Sequence, residues 1–165
     1  MLIISKEQHI EFLQKQVLQS VRKVIDDNQM IFGFMIMSQA IEILGSYLDD
    51  KPFRAKQQSL KRFCLAINRL YPASYIHANK KGFLYFQLRA CMTHMFIPTS
   101  KILLQSGYQT KEKPHLSFTN EVMILYSEDF FYAFKAAIEK VINLIISDKV
   151  KLKSISTAQI DYDIN

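Results

Sequence analysis

The sequence predicts an all-α fold: a bundle of about five helices with a small β-hairpin inserted before the last long helix. Three observations lead there. The 165 residues contain only four Gly and four Pro, too few for the turns of an all-β chain. Nearly half the residues are apolar and 12% are aromatic, a globular composition that supplies a core for one domain. Apolar residues also recur at spacings of three and four through long stretches, as a helix with one buried face requires.

The elements follow in order. Ser5 and Gln8 form a capping-box pattern. Ile10, Leu13, Val17, Val21 and Val24 then mark a helix of about twenty residues ending near 26–28. MIFGFMIMSQAIEILGSYL, residues 30–48, is apolar almost all round. Ser38, Gln39 and Glu42 interrupt it, and a central carboxylate is costly in lipid, so a buried central helix is expected and no membrane span. A buried Glu42 needs a partner such as a core-facing arginine. Pro52 breaks the chain before a third helix over 55–70. There Leu60, Phe63, Cys64, Ile67 and Leu70 share a stripe, with Arg54, Lys56, Lys61, Arg62 and Arg69 largely off it. LYPASYIHANKKG reads as a loop. A fourth helix covers Phe83–Phe96 and is stopped by Pro98, and residues 99–114 read as polar and irregular. HLSFTNEVMILY reads as the hairpin, turning at 119–121. The last helix opens at Ser127 as N-cap, with Glu128 and Asp129 in the first turn where the helix dipole favours them. Its core face is Phe130, Phe134, Ile138, Val141 and Ile145. The domain is expected to span 1–148, with 149–165 a disordered tail.

A net charge of +6, from 21 Lys and Arg against 15 acids, is compatible with RNA, DNA or an acidic protein, although the cations are scattered. Cys64 and Cys91 make no disulfide framework, and no Cys/His cluster suggests zinc, so neither metal nor cofactor is expected. The N-terminus lacks the features of a signal peptide, and a cytoplasmic location is expected. No glycine-rich phosphate loop, GxSxG elbow or HExxH motif occurs. His9, His77 and His115 read as incidental surface or loop residues.

The chemistry-bearing candidates are Arg89 and His94 in LYFQLRACMTHMF, residues 84–96. Histidine titrates near neutral pH, and arginine holds phosphate in a forked geometry. R-x4-H near the end of a helix in a small helical protein resembles the signature of the HEPN superfamily. LYFQLRACMTH is similar to the LY-x-x-LRNGLxH stretch of HEPN-like bacterial proteins. HLSF and LYSEDFFYAFKAAIEKVI are similar to their hairpin and DFY-x-x-FK helix, so the likeness runs over about 83–145.

That resemblance implies a bundle that dimerises through the motif helices and a metal-independent endoribonuclease of a defence or toxin–antitoxin system. An antitoxin or nucleotidyltransferase would be its partner. His94 would transfer protons as the RNA 2′-hydroxyl attacks phosphate, and Arg89 would stabilise the phosphate charge. Five residues turn a straight helix by about 140°, so the two side chains leave on different faces. Arg89 has Thr93 as its neighbour one turn on, and His94 has Ala90 one turn back. Ala90 replaces the polar residue, often Asn, that commonly follows the arginine, and Cys91 stands where a small residue is common. Two alternatives therefore stay open: a non-catalytic HEPN-like binding or scaffold protein, and a structural pairing of Arg89 with Glu42.

Overall fold

The computed structural model describes residues 2–107 and 112–156. The chain is mostly helical, 61%, but it also carries two small sheets and so departs from a strictly all-α fold. The capping box is present: the Gln8 amide donates to Ser5 Oγ at 3.2 Å, and the Ser5 amide donates to Gln8 Oε1 at 3.1 Å. It opens α1 (Lys6–Glu11), which runs through a π-helical segment (Phe12–Gln19) into α2 (Ser20–Asp26). The buried stripe is Leu13, Val17, Val21 and Ile25. It starts on the expected positions and finishes one residue later than Val24, as the wider π turn shifts the face that meets the core.

Helix α3 (Met30–Ser46) is central, with Phe34, Met37, Ile41 and Leu44 fully buried. Among the described residues no helix is long and apolar enough to cross a membrane. It packs closely on α4 (Ser59–Leu70), because Gly45 lies under the Arg62 backbone: a Cβ at Gly45 would sit 2.1 Å from the Arg62 carbonyl oxygen.

Arg62, expected on the basic flank, is instead buried. Its Nε and Nη2 donate to Asp49 at 2.7 and 3.2 Å, and its Nη1 and Nη2 donate to the Phe53 and Pro52 carbonyls at 2.6 and 2.7 Å. The guanidinium thereby fixes the loop before α4, which begins at Ser59 and not near 55. Lys153 completes the cluster, donating to Asp49 at 2.7 Å and to the Ser46 carbonyl. Two residues later β5 (Ile155–Ser156) pairs antiparallel with β1 (Leu2–Ile3), burying Ile3 and Ile155. The expected disordered tail is thus docked as far as Ser156, and its last part, 157–165, lies outside the described residues.

The stretch read as a loop holds α5 (Ala73–Ala78), led by Pro72, whose fixed φ suits a helix start. Six residues are too few to show a period. The segment 99–114 is likewise not wholly irregular. Here β2 (Ile102–Gln105) pairs in parallel with β4 (Val122–Tyr126), and β3 (Phe118–Thr119) flanks β4 on the other side, antiparallel. The hairpin turns at Asn120 and Glu121, whose φ values of 48° and 65° are those of a tight two-residue turn.

Strand β4 runs directly into α7 (Ser127–Ile146). Tyr126 occupies the N-cap position, and Ser127 is a buried first helical residue that makes no side-chain cap. His115 stabilises this junction. Its Nδ1 accepts the Tyr126 amide proton at 3.0 Å, so Nε2 carries the ring proton and donates to the Tyr75 hydroxyl at 2.9 Å. His9 is also structural: it is fully buried, with Nδ1 2.9 Å from the Tyr47 hydroxyl. Burial lowers its basicity by more than the Lys153 backbone raises it. Of the three incidental histidines only His77 is exposed.

Candidate functional site

The motif helix is not one regular α-helix. A π-helical turn (Tyr85–Ala90) leads into α6 (Cys91–Met95), and Phe96 ends it in the left-handed conformation at φ 61°, two residues before Pro98. Leu88 and Met92 anchor the helix in the core. Arg89 and Ala90 end the wide turn and the residues from Cys91 to His94 are regular α-helix, and the two side chains diverge, Arg89 to Glu42 and His94 to the exposed surface.

Arg89 points to α3. Its Nε–H meets Glu42 in an ion pair with side chains only 17% and 16% exposed, and its guanidinium lies 5.5 Å from the Tyr85 ring centre. The interrupted polar letter of the apolar α3 and the arginine of the motif are therefore one unit. Burial raises the Glu42 carboxyl above its ordinary range, against the opposing pull of Arg89, Ser59 and Arg62. Ser59 and Glu42 also border an open depression shared with Arg54, Gln58 and Arg62. Thr93 turns back on its own helix, its hydroxyl donating to the Arg89 carbonyl at 2.9 Å. Cys91 does the same through Sγ, 3.5 Å from the Phe86 carbonyl.

His94 is exposed, and among the described residues it takes part in no hydrogen bond or ion pair. Within a single copy, the structure thus joins Arg89 to Glu42 and leaves His94 apart from both. Beside His94 lies an apolar surface that periodicity did not single out: Met95, Phe96 and Ile97 are more than half exposed. Phe96 meets Phe32 of α3 edge to face, ring centres 6.4 Å apart, and extends the patch onto a second helix. A run of large apolar residues directly after the histidine was the signal for it. Among the described residues no three His, Cys, Asp or Glu side chains are grouped to hold a metal ion.

No family model, curated protein or solved structure matches this chain.

Proposed function

We propose that the protein is a HEPN-like, metal-independent endoribonuclease that works as a homodimer, with one cleft formed where two motif helices meet. The observation that carries this reading is an exposed His94, without a partner among the described residues and bordered by the Phe32–Phe96 patch. Burying that patch against a second copy removes apolar surface from water and brings a second histidine to the same groove. Because Arg89 and His94 leave one helix on different faces, one phosphate is served by Arg89 of one copy and His94 of the other.

In that cleft His94 takes the proton of the 2′-hydroxyl as it attacks the adjacent phosphorus. A 2′,3′-cyclic phosphate forms, and the 5′-oxygen leaves and is protonated in turn. Glu42 engages the Nε edge of Arg89 and orients the guanidinium, which has further N–H donors to offer a phosphate. The toxin of a toxin–antitoxin or defence pair, with an antitoxin or nucleotidyltransferase as partner, is the setting in which such an activity would be held in check.

A second reading, a non-catalytic HEPN-like RNA-binding or scaffold protein, is favoured by the Glu42 pairing and by Ala90, which offers nothing to orient His94. Cleavage of single-stranded RNA in EDTA separates the two. On the nuclease reading, His94→Ala lowers the rate about 100-fold or more while the melting temperature and dimer mass are kept. Intact RNA with the unaltered protein assigns the chain to the second reading, and equal cutting by His94→Ala removes His94 from the reaction and overturns the cleft proposed here.

A further inference from the structure

A second polar feature lies where α4 and α7 end together. Arg69, Lys140 and Lys149, with Asn143 and Ser147, line an open depression of about 290 Å³, and among the described residues no carboxylate lines it. The nearest acids in sequence are engaged elsewhere: Glu139 faces Lys135 at 3.9 Å, and Asp148 holds Lys6 at 2.7 Å. Among the described residues Arg69, Lys140 and Lys149 enter no ion pair. Lys140 is positioned by donating to the Leu70 carbonyl at 2.6 Å, which leaves its other N–H donors for the depression.

Cations at helix C-termini are commonly explained by the helix dipole, and here the sum decides against that explanation alone. Two helix ends supply about half a negative charge each, so three cations leave an excess near +2. A phosphate group has the charge, the size and the several acceptor oxygens to match it.

The geometry points to an anion subsite at Arg69, Lys140 and Lys149 that binds a phosphate group. The depression lies at the far end of α4 from Ser59, the neighbour of Glu42, roughly 16 Å along the helix axis. The inference does not depend on cleavage by His94, since binding is read without any cut.

The test is a low-salt titration of the full chain followed by amide chemical shifts, first with inorganic phosphate and then with a single-stranded RNA ten-mer. The subsite predicts saturable shifts at Leu70, Asn143, Ser147 and Lys149. They disappear in Arg69→Ala/Lys149→Ala, whose replaced side chains are exposed, and in Arg69→Glu as an independent single change. If the ligand is a polynucleotide backbone, the double variant also lowers the slope of log affinity against log salt by about 1.4, or 0.7 per lost phosphate contact. An unchanged slope, with phosphate bound by the unaltered protein and not by the double variant, identifies a free phosphate or phosphomonoester as the ligand. No saturable shifts with either probe, or equal shifts in the variants, overturns the subsite.

Discussion

An Asp49→Ala variant loses about 3–5 kcal/mol of stability, much of what a domain of this size has to lose. Asp49 joins Arg62, Lys153 and the loop amide of Lys51 through one carboxylate. The Arg62 and Lys153 side chains are only 7% and 10% exposed, so removing their common partner leaves buried positive charge uncompensated. The exposed pair Glu11–Lys15 makes the control, since its loss changes stability by less than about 0.5 kcal/mol. Urea unfolding of both variants checks the contrast, and a loss below about 1 kcal/mol for Asp49→Ala would mean the cluster is well solvated. The same carboxyl gives an acid limit. Burial opposes its charge, but hydrogen bonds from Arg62, Lys153 and the Lys51 amide carry it down to about 2. A folded value below the unfolded value of about 3.9 adds stability that is fully present above that pH and is lost as pH falls through 2.

Gly45→Ala is the second large effect, a loss of roughly 2–4 kcal/mol. Alanine is worth about 1 kcal/mol more than glycine inside a helix, so propensity alone predicts a gain. Here the added carbon would meet the Arg62 carbonyl oxygen, carbon and Cα at 2.1, 2.6 and 2.8 Å, all backbone atoms that move only if α3 and α4 separate. Gly33 on the same helix is the matched comparison, because its added carbon would meet the Ile25 side chain at 3.0 Å and that side chain can turn aside. Thermal unfolding should therefore rank Gly45→Ala far below Gly33→Ala, and equal melting temperatures would contradict the close approach of α3 and α4.

The legible parts of this fold were those with local rules. The Ser5–Gln8 cap, the α3 core helix, the 119–121 turn and the face of α7 each rest on a spacing that one segment contains. The missed parts, the short α5 apart, rest on partners distant in the chain. Strand β2 is four residues in polar surroundings and exists through its parallel ladder with β4, twenty residues on. Strand β5 has two residues and depends on β1 and on Lys153 reaching Asp49. Arg62 looked like a solvated flank because nothing local shows that the 49–53 loop folds over it.

The candidate site divides the same way. The need of Glu42 for a core-facing arginine could be read from the cost of a buried charge, and Arg89 meets it. The structural roles of His9 and His115 could not, since each is defined by a tyrosine 38 or 40 residues away.

The most direct test of the two-copy cleft is RNA cleavage by a mixture of Arg89→Ala and His94→Ala chains, refolded together so that subunits exchange. Each variant alone has every site damaged. In a mixed dimer one site regains both Arg89 and His94 and the other loses both. Half the dimers are mixed and each carries one of two sites, so activity should return to about a quarter of the unaltered protein's. Activity that stays at the level of the separate variants would contradict a cleft shared between two copies.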